Sequence, residues 1–159
     1  MLTVTTAEPR DAAAMADLFL EMDRFYDEIT IEPAGTKTHQ IESVLFATPP
    51  PAYALLAWDG PELVGIAAYS FLWPAALTSK SLYLKELYVR QQHRRKGVGR
   101  LLMQYLFKVA RDKECSRVEW TTDESNANAQ DFYKDLGVQV NPSKVFYRIE
   151  IESSLTSEA

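Results

Sequence analysis

Leu2-Thr3-Val4-Thr5 alternates apolar and polar side chains at the period of a half-buried strand, and after Pro9 the apolar residues change to helical spacing that runs on through Phe25 and Tyr26. A second, weaker helical pattern covers about 38–46. The Thr48-Pro49-Pro50-Pro51 run then blocks helix and resets the chain to extended structure. Tyr53 to Trp58 and Leu63 to Phe71 are apolar, β-rich runs joined by Asp59-Gly60-Pro61, which predicts an antiparallel hairpin, and Leu82 to Val89 forms the next strand. From Gly97 onward Val98, Leu101, Leu102, Tyr105, Leu106, Val109 and Ala110 keep spacings of three and four, so they form one stripe of a helix. A brief strand over 117–121, a helix over 126–136 stopped by Gly137, and a closing strand over 145–151 complete the pattern. The order β-α-α-β-β-β-α-β-α-β-β is that of a mixed α/β (α+β) fold. A single domain over 1–152 with a flexible tail at 153–159 is expected.

The 159 residues are enough to bury a core without disulfides or metal. With 17 basic against 22 acidic residues and a formal net charge of -5, the surface has no general attraction for nucleic acid or anionic membranes. Any anion must therefore be met by a local cluster. The N-terminus lacks the basic and apolar regions of a signal peptide, and no run approaches the roughly 18 apolar residues of a membrane span, so a cytoplasmic protein is expected. Cys115 is the single cysteine, and His39 and His93 lack metal-ligand spacing. No metal is expected. Cys115 reads as a structural thiol and the histidines as solvated or capping groups.

Against the acidic background, Arg94-Arg95-Lys96-Gly97-Val98-Gly99-Arg100 crowds cations at the start of the most regular helix. The first-turn N–H groups of a helix carry partial positive charge, so cations there are unfavourable unless an anion joins them. Gly97 and Gly99 allow unusual backbone angles and remove side chains that would keep a ligand from those N–H groups. A strand leading into such a turn describes a phosphate cradle, and several cations suit a pyrophosphate. The turn is neither a P-loop nor a three-glycine dinucleotide fingerprint. A solvated basic helix start is the plain alternative.

Arg94 to Gly99 resembles the Arg/Gln-x-x-Gly-x-Gly/Ala signature of the GNAT N-acetyltransferases, and Asn126-Ala-Asn-Ala-Gln-Asp-Phe-Tyr-Lys-Asp-Leu-Gly137 is similar to that family's Asn-x-x-Ala-x-x-Phe-Tyr-x-x-x-Gly segment. The resemblance implies a mainly antiparallel twisted sheet flanked by helices, with acetyl-coenzyme A as co-substrate. It implies that Arg94, Arg95, Lys96, Gly97, Val98, Gly99 and Arg100 hold the pyrophosphate. The backbone of Leu87, Tyr88 and Val89 would pair with the pantetheine arm, and a main-chain N–H there would receive the oxyanion. Asn126 would contact the cofactor and Tyr133 would protonate the departing thiolate. On a helix Asn126, Ala129 and Tyr133 share one face, while Phe132 turns away; a helix simply packing Phe132 and Tyr133 as aromatics fits the same pattern.

Glu86 is the candidate base, and it is also readable as an ion-pair partner of Lys85 or Arg90. Ser81 to Val89 together with Phe19 to Glu28 looks similar to the diamine (spermidine/spermine) branch of the family. There Asp23 and Asp27, on one helical face with Glu28 nearby, would draw a polycation into the acceptor site. A solvated acidic face is the alternative. Where that branch has two adjacent acids this chain has Lys85-Glu86, which removes one acid. The expected partner is a small-molecule amine, and the resemblance to that branch implies a homodimer. Transfer to a protein or peptide amine, and a coenzyme A sensor without turnover, are the rival readings; the acceptor loops at 28–38 and 72–80 decide between acceptors.

Overall fold

The structure, a computed structural model, describes residues 1–28 and 30–151. Two compact units are present, Met1–Thr121 and Thr122–Ala159. The tail expected at 153–159 lies outside the described residues.

In the first unit, β1 (Leu2–Thr6) leads through a 3-10 turn into α1 (Ala12–Phe25) and α2 (Ala34–Gln40), followed by β2 (Tyr53–Asp59), β3 (Glu62–Leu72), β4 (Ser81–Val89), α3 (Val98–Asp112) and β5 (Arg117–Trp120). The sheet order is β1-β2-β3-β4-β5, antiparallel except for the parallel β4–β5 pair. A parallel pair needs a crossover, and α3 supplies it. Alternation along β3 sends neighbouring residues to opposite faces. Ile66 joins Met15 and Leu18 of α1, with Ala54, Leu56 and Tyr88, in a buried cluster. Gly65 meets α3 on the other face, where an added Cβ would stand 3.0 Å from Val98, 3.1 Å from Leu102 and 3.2 Å from the Tyr88 carbonyl oxygen. The sheet is thus covered by α1 on one side and α3 on the other.

This contact gives a test. Gly65→Ala is expected to lower stability by about 1–3 kcal/mol, because the Tyr88 carbonyl cannot swing aside as a side-chain tip can. Urea unfolding measures it, and an unchanged midpoint would show that α3 sits more loosely than this packing requires.

α2 begins earlier than its weak pattern predicts, at Ala34, and the chain continues into a π turn over Ile41–Leu45. Gly35 and Thr36, poor helix formers, hide that start. Three helices end alike. Asp27, Glu114 and Gly137 adopt left-handed φ of 53°, 58° and 84°, and the next amides reach back to Asp23, Ala110 and Tyr133 at 3.0, 2.9 and 3.1 Å. These are Schellman closures, with Gly137 stopping its helix as its position predicts.

The second unit contains α4 (Ala127–Asp135). The closing strands are not formed among the described residues: 138–151 have no regular structure. The expectation of a strand over 145–151 is corrected here. A strand exists only where a neighbouring backbone accepts its hydrogen bonds, and Tyr147, Ile149 and Ile151 are 87%, 83% and 83% exposed. No described helix is long and apolar enough to cross a membrane.

Candidate active site

Arg95 and Gly97 take left-handed φ of 62° and 83°, which turns successive backbone N–H groups of the β4–α3 connection to one side. The first bond of α3 runs from the Leu101 amide to the Gly97 carbonyl at 3.0 Å, so the amides of residues 98–100 have no partner inside the helix. A Cβ at Gly97 would meet nothing within 4 Å, so the approach is open. Arg95, Lys96 and Arg100 are exposed, and among the described residues no ion pair or side-chain hydrogen bond engages them. A pyrophosphate fits this donor set. Arg94 is different: its Nε donates to the Val89 carbonyl at 3.0 Å, and its guanidinium carbon lies 4.3 Å from the Phe25 ring centre and 5.3 Å from that of Tyr88. It fastens the turn to the end of α1.

The strand feeding this turn has an open side. β4 pairs with β5 only over Ser81 to Leu84, while its pairing with β3 continues to Val89. Among the described residues, 85–89 therefore have no strand on the side away from β3. The Arg90 amide bonds to the Val64 carbonyl on β3 at 2.8 Å, and alternation turns the amides of Val89 and Leu87 the other way, to the open side. The register also slips by one: Ala68 opposes Glu86 but Tyr69 opposes Leu84, so Lys85 is an extra, bulged residue. After the bulge Glu86 and Tyr88 share the face covered by α1. Glu86 is half-buried.

Tyr88 donates its hydroxyl proton to Glu21 Oε2 at 2.7 Å, and the Gln91 amide donates to the same oxygen at 3.3 Å. Arg90 donates to Glu21 Oε1 at 3.3 Å, to Asp17 at 2.8 Å and to the Leu63 carbonyl at 2.7 Å. Burial pushes the Glu21 carboxyl up, but the Tyr88, Gln91 and Arg90 donors outweigh it and hold the group below its ordinary value. Burial, then the bond to the Glu21 carboxylate, pushes the Tyr88 phenol above its ordinary range. This Glu21-centred clamp was not foreseen from sequence. Its members are 67 to 70 residues apart, a separation that no local pattern reports.

The acidic end of α1 is already partly matched. Lys37 of α2, 7% exposed, donates to Asp23 and, at 3.5 Å, to Glu32. Asp27 sits past the helix end in its left-handed closure, which takes it off the face it would share with Asp23. Asp27 and Glu28 are exposed, without an ion pair among the described residues. His93, expected in solvent, has a side chain only 12% exposed, with Nε2 3.4 Å from Glu62 and 3.8 Å from Asp59. Cys115 is a half-buried free thiol that burial pushes up, away from the reactive thiolate.

In the second unit Asn126 caps α4, its Oδ1 accepting from the Ala129 amide at 3.0 Å. Its side-chain NH₂ group is not used in that bond. Tyr133 and Phe132 are both half-buried, their rings edge to face at 5.3 Å. Leu87, Tyr88, Val89 and the basic turn are thus gathered in the first unit, with Glu86 beside them on the strand, while Asn126 and Tyr133 are carried by α4.

Comparison with known proteins gives a family match. Residues 15–138 match the model of the Acetyltransferase (GNAT) family. The L-ornithine N5-acetyltransferase NATA1 of Arabidopsis thaliana is 37% identical over 68 residues, 43% of this chain and 30% of that protein. The thialysine N-epsilon-acetyltransferase of Bos taurus is 34% identical over 81 residues, 51% of this chain and 47% of the relative. The chain therefore spans less than half the length of these two curated relatives. Among solved structures, an integron cassette protein from the mobile metagenome of V. cholerae superposes with a TM-score of 0.88 at 25% identity, over 99% of this chain and 96% of that one.

Proposed function

The chain belongs to the GNAT acetyltransferase family, and on that premise we propose that it is an acetyl-coenzyme A dependent N-acetyltransferase acting on a primary amine of a small molecule. The observation that carries the reading is the open side of β4 at residues 85–89, running straight into the cation-lined turn at 95–100. The co-substrate supplies the acetyl group and leaves as a free thiol. Arg95, Lys96, Arg100 and the amides of the first turn of α3 take its pyrophosphate, while Arg94 holds the turn in place. The amides of Leu87 and Val89 face the open side, where one can donate to the oxyanion that direct attack generates. Glu86 accepts the proton of the attacking amine, directly or through water, and Tyr133 gives a proton to the departing sulfur. Asn126 positions the co-substrate with the amide hydrogens its cap leaves over. The family match runs through both units, which supports one domain over 1–152; the cytoplasm is the compartment proposed for it.

The two curated relatives are named for amines at the end of a short chain, ornithine N5 and the thialysine ε-nitrogen. That favours a terminal amine of an amino acid or diamine as acceptor. Since Lys37 already answers Asp23, the acidic groups left for such a cation are Asp27 and Glu28, a weaker lure than a long polyamine would need.

The test is an amine panel of ornithine-like amino acids, diamines, polyamines and lysine peptides, with free thiol followed after adding acetyl-coenzyme A. Thiol release with a small terminal amine is the expected result. Release only with peptides would transfer the reading to a protein acceptor. Thermal stabilisation by the co-substrate without release for any amine would point to a sensor, and no stabilisation would end the coenzyme A reading.

A further inference from the structure

Asp17, Glu21 and Phe25 lie four residues apart and form one stripe of α1. Each meets the end of β4 or the turn after it. Asp17 takes Arg90, Glu21 takes Tyr88, Arg90 and the Gln91 amide, and the Phe25 ring carries the Arg94 guanidinium. The strand itself is held without this stripe: Ile66 and Gly65 of β3 pair with Tyr88 and Val89, and the Val64 carbonyl takes the Arg90 amide at 2.8 Å. The turn over 91–96 has no such ladder. Its bonds are short-range, from the His93 amide to the Arg90 carbonyl at 2.9 Å and from the Arg94 amide to the Gln91 carbonyl at 3.3 Å. His93 and Arg94 are anchored through their side chains. Among the described residues, Glu21 is the group from another element that bonds the main chain of 91–96. Its Oε2 accepts both from the Tyr88 hydroxyl at 2.7 Å and from that amide at 3.3 Å, so a paired strand and an unpaired turn share one atom.

We propose that Glu21 is a positioning residue for the co-substrate: by joining Tyr88 to Gln91 it fixes the phosphate turn relative to the strand that receives the pantetheine arm, so that one molecule reaches both. This rests on the acetyl-coenzyme A reading of the site. Both carboxylate oxygens are engaged by protein donors, so Glu21 acts through its partners rather than by touching the co-substrate. Charge alone predicts the opposite outcome of removing it. A carboxylate near an anion site repels the anion, and neutralising it should tighten binding; a loss therefore reports geometry.

The test is calorimetry of coenzyme A binding, beside thiol release from acetyl-coenzyme A and from acetyl-pantetheine, which has the same arm and no pyrophosphate. Glu21→Gln is expected to weaken coenzyme A binding roughly tenfold and to raise the KM of acetyl-coenzyme A by the same factor, with release from acetyl-pantetheine unchanged. Tyr88→Phe keeps the charge and cuts the strand end of the link, so it should give the same split between the two thioesters. Asp17→Asn removes an equal charge and a contact to Arg90 but no bond to the turn's main chain; its side chain is 72% exposed, and coenzyme A affinity should not fall. Unchanged or tighter binding by Glu21→Gln would overturn the positioning role. Equal losses on both thioesters would make Glu21 a general support of the fold, and a matching loss for Asp17→Asn would assign the effect to Arg90; either overturns it as well. A chain that binds coenzyme A but releases thiol from neither thioester would end the transfer reading while the calorimetry still decides on Glu21. No binding by the unaltered chain would end both.

Discussion

Tyr133→Phe is expected to lower turnover by about 10²–10⁴, the range a positioned general acid supplies, while the affinity for coenzyme A changes little. The phenyl ring keeps the edge-to-face contact with Phe132 at 5.3 Å, so the change removes the proton and spares the packing. Steady-state kinetics with the best amine of the panel, beside calorimetry of coenzyme A binding, separates the two effects. Unchanged turnover would leave Tyr133 as one of two packed aromatics on α4; a loss of turnover matched by a loss of affinity would make it a binding group.

Lys37→Ala should cost about 3 kcal/mol, because it leaves the Asp23 carboxylate, 18% exposed, without its countercharge. At an m-value of about 2 kcal/mol/M that lowers the urea midpoint by roughly 1.5 M. Lys37→Met retains most of the stem and separates packing from charge, and Asp23→Leu combined with Lys37→Met should recover much of the loss. A shift of under about 0.5 kcal/mol for Lys37→Ala would mean that water reaches the pair freely. The pair matters beyond stability, since it ties α2 to α1 and withdraws Asp23 from the charge that could greet a cationic acceptor.

The parts of this molecule that sequence reveals are those whose cause is local. The stripe from Val98 to Ala110 forms α3 with the expected inward face, because spacing of three and four can bury only one side. The glycine turn before it takes the left-handed angle at Gly97 that its composition suggested. What stayed hidden depends on partners distant in the chain. Lys37 lies in a polar stretch with no periodic signal, and Asp23 finds it across a helical hairpin. His93 reads as a solvated histidine until β2 and β3 bring Asp59 and Glu62 to it. The alternation of 145–151 is a strand pattern in a segment that pairs with no strand among the described residues, so pattern alone overstated the structure. The basic turn was legible as a group, but Arg94 was not separable from Arg95, Lys96 and Arg100 until its bond to Val89 was seen.

Lys85 is exposed and, by composition, replaceable. Its side chain is indeed free to vary, but its presence shapes the strand. As the extra residue opposite the Ala68–Tyr69 step, it bends β4 and raises its twist just past Leu84, where β5 stops pairing. Deleting it would leave the ladder paired as it stands, Leu84 with Tyr69 and Glu86 with Ala68, so Tyr88 would keep its face. What the deletion takes away is the bend at the start of the open side. A position that tolerates many substitutions can thus matter through its presence alone, and libraries that scan only substitutions would miss it.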